Sequence, residues 1–417
     1  EGYMELTLQK KTVLGLQHTI AMFGATVLVP LITGLNPSVA LVAAGVGTLL
    51  FHLVTKQMVP VFLGSSFAFI PPILIGVERG YSWAGIGAGI VGAAVVYIAM
   101  SILVTFVGHD IVKRVFPPIV TGPVITVIGI TLAPVAISQA EGAWWLAIVT
   151  LAATIIAAIF FRGLFQMLPI LTGAIVGYVT GALFYSDFSF DAVREADWLG
   201  WPEFTWGLGD LSWAPIALIA PIAFVTMIEH VGDILANGRV VGKDFFDEPG
   251  LNRTLLGDGI ATMFAGLVGG PPNTTYSENT GVLAVTKVYD PFIIRIGALF
   301  AIFLGLIPKL AAVLRTVPVP VLGGLSVVLF GMIASVGLRT LVEGQVDFKK
   351  SRNMIVVGLI LVFGLGVSGL SSPLAIGDVE ISGLALAAVI GVVANLILPM
   401  DTEEAQVAMP SETKSST

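Results

Sequence analysis

The chain has no cysteine among its 417 residues, so disulfides, thiolate nucleophiles and cysteine-based metal sites are excluded. Charge is nearly as scarce. Only 11% of residues are Asp, Glu, Lys or Arg, against roughly 25% in a soluble domain. Histidine occurs four times. No Ser/His/Asp set and no group of metal ligands has workable spacing, so nothing points to an enzyme. The formal net charge of −7 comes largely from one acidic loop and the C-terminal tail, which argues against nucleic acid as a partner. What fills the chain is apolar sequence, 56% hydrophobic with a mean hydropathy of +0.96. Long uncharged runs of this kind describe a polytopic, all-α membrane protein.

Fourteen membrane segments are expected, near 13–33, 38–55, 59–76, 83–107, 117–135, 143–161, 167–185, 213–235, 252–268, 270–287, 291–308, 318–337, 353–369 and 381–399. Lys10 and Lys11 precede a full-length first segment, so no cleavable signal peptide is expected. Fourteen crossings put both termini on one side. With that side cytoplasmic, one set of loops carries Lys10, Lys11, Lys56, Lys113, Arg114, Arg162, Arg239, Lys243, Arg253, Lys287, Arg295, Arg339, Lys349, Lys350 and Arg352. The opposite set has only Arg79, Arg194, Lys309 and Arg315, which fits the positive-inside rule. The longest outer loop, 186–212, is acidic and contains Trp198, Trp201 and Trp206, as an interfacial cap would. The polar tail 400–417 reads as disordered and cytoplasmic.

One stretch breaks the rules for a spanning helix. In Gly269–Lys287, Gly269, Gly270, Pro271 and Pro272 prevent a continuous helix, Asn273–Ser277 are polar, and Glu278 stands where hydrocarbon is expected. Non-helical backbone at membrane depth leaves N–H and C=O groups unpaired, and it is tolerated only inside protein or beside a water-filled cavity. A second interrupted segment runs Phe62–Pro72, with Ser65, Ser66 and Phe67 at its centre. It stands third among the first seven segments, as 270–287 stands third among the second seven. The motif from Phe116 (FPPIVTGPVITVIG) likewise corresponds to that from Val317 (VPVPVLGGLSVVLFG). Two seven-segment halves enter the membrane in opposite directions, so the pattern is that of an inverted repeat. Paired broken segments in such repeats mark a midplane binding site.

Within these segments several residues stand out. Glu278 is costly at membrane depth unless it faces a cavity or a partner; the alternative is an N-cap at the surface. Glu229 and Asp233 are four apart, on one helix face, where two close acids would share a proton. For Asp233 the alternative is simple solvation near a helix end. His18, after Gln17, is balanced between packing and proton transfer. His52 and His109 lie near predicted ends and read as interfacial, while His230, turned about 100° from Glu229, reads as structural. Half-helix N-termini offer N–H donors to carbonyl oxygens. Glu229 and Glu278 suit ring N–H donors, and Phe67 and Tyr276 could stack on a flat ring or simply pack. The combination selects a small planar heterocycle with alternating C=O and N–H. Half-helix N-termini also attract anions, so an anion transporter or channel stays open. An anion carrier, however, should place a cation at the site rather than two glutamates.

Leu16–Pro30 (LQHTIAMFGATVLVP), Phe62–Ile70 (FLGSSFAFI), Glu229–Gly232 (EHVG) and Pro272–Tyr289 (PNTTYSENTGVLAVTKVY) resemble the nucleobase–ascorbate transporter family, in particular its bacterial uracil permeases. Glu278-Asn279-Thr280-Gly281 with Thr286-Lys287 matches the family signature E-N-x-G-x4-T-K. The resemblance covers nearly the whole chain. It implies a proton-coupled uracil symporter of the bacterial inner membrane, with no cofactor beyond the coupling proton and with homodimers formed through a gate domain. It implies core-domain stretches at 1–110 and 200–315, and gate-domain stretches at 111–199 and 316–399. Segments 3 and 10 would each carry a short β-strand, the two pairing where substrate binds. Carried over, Glu229 and Glu278 resemble the substrate carboxylates, Phe67 and Ser277 would lend main-chain amides, and Tyr276 and Ala25 would line the pocket. Glu229, Asp233 and His18 would serve proton coupling. Asp233 departs from the uracil permeases, which have histidine there; purine-transporting relatives commonly have aspartate. A xanthine or purine permease is therefore the nearest alternative.

Overall fold

The computed structural model of the chain describes residues 7–108, 110–162, 166, 168–370, 374–376, 379–380 and 382–399. His109 and the tail 400–417 lie outside the described residues. The first half runs α1 (Leu8–Thr33), α2 (Pro37–Val54), β1 (Leu63–Ser65), a 3-10 turn (Phe67–Phe69) leading into α3 (Ile70–Glu78), and α4 (Trp83–Val107). It continues through α5 (Asp110–Val115), α6 (Pro118–Thr131), α7 (Ala133–Glu141), α8 (Trp144–Phe160) and α9 (Pro169–Phe184). The second half holds α10 (Asp191–Glu195), α11 (Trp213–Ile219), α12 (Ala223–Val241), α13 (Leu251–Val268), β2 (Asn273–Thr275), α14 (Ser277–Thr286) and α15 (Pro291–Gly305). It closes with α16 (Pro308–Arg315), α17 (Val319–Glu343), α18 (Ser351–Ser368), the strands β3 (Ala375–Ile376) and β4 (Val379–Glu380), and α19 (Gly383–Ile397).

Each expected segment has a helix or a strand–helix unit at its position. By length and composition, seven helices among the described residues could cross a membrane, or eight if the bent pair α15–α16 is one span. The apolar helices at 67–78, 144–160, 169–184 and 383–397 are shorter.

Local chemistry explains where the elements start and stop. Asn36 caps α2 by accepting from Ser38 N at 3.0 Å, with Pro37 in the first turn. Ser82 caps α4 through Gly85 N, and Asp290 caps α15 through Phe292 N. Gly269, at φ 79°, ends α13 in the left-handed conformation that glycine adopts without strain. Gly270, Pro271 and Pro272 then keep the chain extended into β2.

The helices pack in two sets. In one, α13 lies against α4 and α2, and α15 against α1 and α2. In the other, α17 lies against α6, α7 and α8, while α18 meets α19 and α6, and α8 meets α9. Helix α12 touches both sets, through α14 and α4 on one side and α6 and α19 on the other.

Candidate functional site at the paired breaks

The two interruptions meet. Strands β1 and β2 pair antiparallel, with Leu63 opposite Thr275, Gly64 opposite Thr274 and Ser65 opposite Asn273. The pairing extends past the strands, with Ser66 N donating to Pro272 O at 2.8 Å and Tyr276 N to Phe62 O at 3.0 Å. A two-stranded ladder still leaves its outer edges unpaired, and these edges are buried. Side chains from the flanking helices satisfy some of these groups. Thr48 of α2 accepts from Leu63 N at 2.9 Å, and Thr262 of α13 donates to Asn273 O at 3.1 Å. Asn273 anchors the strand by donating to Ala43 O at 3.0 Å. The amide of Asn273 thus serves backbone carbonyls inside the bundle, while Thr275 turns its hydroxyl to Asp233.

Each strand feeds a helix opening. Phe67 starts the turn into α3 and Ser277 starts α14. The first N–H groups of a helix have no partner within it. Antiparallel pairing sets these two openings at opposite ends of the ladder, flanking a stretch of roughly 10 Å. Glu278 falls in the first turn of α14, with its carboxylate turned toward its own main-chain N–H. Ser277 and Glu278 are exposed, while Tyr276 before them and Asn279 after them are buried. Glu278 is therefore an accessible acid rooted in an enclosed element.

Helix α12 brings the other acids. Asp233 accepts from Thr275 Oγ1 at 2.8 Å and from Ser277 Oγ at 2.6 Å. It is engaged on both sides of the β2–α14 break, so simple solvation does not describe it. Glu229, one turn earlier and half-buried, lies within electrostatic reach of both Asp233 and Glu278. Tyr276 is buried; its hydroxyl donates to Ser65 O at 2.9 Å and accepts from Thr26 of α1 at 3.3 Å. Ala25, the neighbour of Thr26, is buried in the same apolar cluster as Tyr276 and Phe67. His18 is buried against Asn279, whose side-chain amide lies 3.1 Å from His18 Nδ1 and donates to His18 O at 2.9 Å. The residues singled out in the sequence therefore gather around the ladder, with Phe67 at one end and Ser277 and Glu278 at the other.

Some assignments change. His52 is not interfacial: it is fully buried, its Nε2 2.9 Å from Val61 O, because the extended chain before β1 folds back over the end of α2. His230 is structural in a specific way, with Nδ1 3.0 Å from Asp258 Oδ2, both side chains fully buried. Asp258 escaped the sequence reading although its signal was present, an ionisable group within the apolar run 252–268. Phe330 of α17 also escaped it. Its ring meets Phe67 edge-on at 6.2 Å and 72°. Nothing in an apolar helix marks one phenylalanine among many, so no sequence signal could have found it.

The sequence pattern of the family described as "Permease family" (Xan_ur_permease) matches residues 9–371. The uracil permease of Bacillus caldolyticus is 44% identical over 403 residues, covering 93% of this chain and 91% of that protein. The uracil permease of Escherichia coli (strain K12) is 39% identical over 400 residues, with 93% and 91% covered. In fold, the chain is similar to the transmembrane domain of the cyanobacterial bicarbonate transporter BicA, with TM-score 0.60 and 14% identity over 95% of this chain and 99% of that one. It is similar too to the murine anion transporter Slc26a9 in its inward-facing state, with TM-score 0.69 and 11% identity over 95% of this chain and 69% of that one. At such identities the likeness is one of fold.

Proposed function

The chain belongs to the Permease family (Xan_ur_permease), as a transporter and not an enzyme, and from that premise we propose that it imports uracil together with a proton. The observation that carries this reading is the β1–β2 pairing, which joins two helix openings to the acids Glu229 and Glu278. Uracil presents C=O and N–H groups alternately around a flat ring. The amides at Phe67 and Ser277 suit its carbonyl oxygens, and the carboxylates of Glu229 and Glu278 suit its N–H groups. Tyr276 and Ala25 line the pocket. Glu229, with Asp233 and His18, takes up the coupling proton and releases it on the other side.

In this reading the chain crosses the membrane fourteen times as two inverted repeats, with both termini cytoplasmic in the bacterial inner membrane. The α1–α4 and α11–α16 elements, in 1–110 and 200–315, form a core domain. The remaining helices, in 111–199 and 316–399, form a gate domain through which homodimers assemble. Relative movement of core and gate exposes the site to each side in turn. The similarity to uracil permeases supports uracil as the substrate.

Uptake of labelled uracil into proteoliposomes tests the coupling. Uptake should collapse when the proton gradient is dissipated; uptake that follows sodium instead would refute it. Glu278→Ala should abolish uracil binding to purified protein, and near-normal binding would move the site elsewhere. A second reading, xanthine transport, is favoured by one residue, the aspartate at 233. Uracil, xanthine and thymine titrated side by side distinguish the two.

A further inference from the structure

A cavity of about 210 Å³ lies away from the paired breaks, in the seam between the two helix sets. Its walls include Val27 and Leu31 of α1, Ala174 of α9, Leu314 of α16 and Leu325 of α17. The one polar side chain in the lining, Tyr178, is occupied, its hydroxyl 2.9 Å from Thr316 Oγ1. A heterocycle placed here would leave its N–H and C=O groups unpaired, so this is not a second substrate site. An apolar cavity of this size excludes water and accepts apolar ligands. For a chain embedded in a bilayer, the apolar molecule always at hand is lipid.

The surroundings specify the ligand further. Helix α16 is bent 77° from α15. It contributes Leu310, Val313 and Leu314 to the cavity, with Lys309 and Arg315 flanking them in sequence. A short helix turned away from a span, apolar on one face and basic elsewhere, is suited to lie in the membrane interface. Lys309 is already committed, donating to Val193 O at 2.8 Å and lying over the Trp198 ring at 5.2 Å. Arg315, at the end of α16, is exposed and has no ion-pair or hydrogen-bond partner among the described residues. An apolar slot lined by a helix that ends on an unengaged guanidinium, one residue beyond the lining residue Leu314, matches the chain and phosphate of a phospholipid. We propose that one phospholipid molecule occupies this seam, an acyl chain filling the cavity and its phosphate meeting Arg315. Lipid tails are as apolar as the walls, so the attraction is the dispersion contact recovered by filling a void, with the phosphate adding selectivity.

The test reads bound lipid directly and is independent of which solute is transported. Wild-type protein is reconstituted with phosphatidylglycerol carrying a photoactivatable diazirine on its acyl chain, irradiated, digested and mapped by mass spectrometry. Adducts should concentrate on the cavity walls of α1, α9 and α16. Adducts spread over the outer surfaces of the bundle and missing from these walls would overturn the proposal. Two variants sharpen it, each checked for folding by a melting curve and a gel-filtration profile equal to wild type. Ala174→Phe fills the cavity and should remove the wall adducts. Arg315→Gln should weaken retention of the probe by about tenfold, as expected for loss of one charge-assisted contact. Wild-type labelling in both folded variants would refute the assignment.

Discussion

Asp233 of α12 accepts a 2.6 Å hydrogen bond from the hydroxyl of Ser277, the residue that opens α14. A second bond, from Thr275 at 2.8 Å, comes from the last residue of β2. One carboxylate thereby holds both sides of the break in register with the helix that carries Glu229. Hydrogen bonds to charged groups contribute about 1.5–3 kcal/mol, and Ser277's exposure argues for the lower end. Ser277→Ala should therefore weaken uracil binding by about tenfold. Calorimetric titration of Ser277→Ala and Thr275→Ala checks this, and wild-type affinity in both would remove Asp233 from the positioning of the site.

Gly64 should not tolerate a side chain. A Cβ at this position would stand 2.6 Å from Thr26 Oγ1 and directly against the ring of Tyr276. The ring is pinned by its bond to Ser65 O, so it cannot swing aside without losing that bond. Gly64→Ala should lower stability by about 1–3 kcal/mol, the usual range for overpacking, and disturb uracil binding as well. A melting temperature and affinity equal to wild type would contradict the close approach of ladder and ring.

Phe330 is the point where α17 touches the site, through Phe67. Aromatic edge contacts contribute about 0.5–1.5 kcal/mol beyond area burial, and truncating a buried phenylalanine costs about 3–5 kcal/mol. Phe330→Ala should reduce uracil uptake more than Phe330→Leu, which keeps most of the volume. Equal uptake by the two variants would show that filling the space beside Phe67 does not matter.

Lys11 and Asp290 tie the start of α1 to the start of α15 at 2.7 Å. Partial burial pushes the Asp290 carboxyl up, but the hydrogen bond and charge of Lys11, with the Phe292 N–H, hold it below its ordinary 3.8. A carboxyl lowered in the folded state adds stability above its unfolded value, and that stability is lost as pH falls through the folded one. Asp290→Asn keeps an N-cap for α15 but removes the charge. With both side chains partly exposed, the loss should be about 1 kcal/mol or less. Melting curves should differ at neutral pH and converge below about pH 3. A difference that grows with acidity would have the wrong sign.

Much of this architecture was legible in the order of residues. A single contiguous signal, apolar length, places α4 at 83–107 in both the sequence reading and the structure. Gly269 to Pro272 announce a break because their backbone limits act locally, whatever surrounds them. Glu229, Asp233 and Glu278 stand out because ionisable groups are rare in apolar runs. His52 was misjudged for the converse reason. Its position near a helix end is local, but its enclosure depends on where residues 59–62 fold.

The sequence by itself determined that this chain is a membrane protein with two interrupted segments bearing acids, since hydropathy, glycine, proline and charge each act over a few neighbouring residues. Only the tertiary structure decided that Leu63 faces Thr275, that Asn279 reaches His18 across 261 residues of chain, and that Phe330 meets Phe67. Three-residue strands carry too little pattern to fix a partner, and contacts between distant segments are chosen by packing and by the need to satisfy buried backbone, which no local stretch records.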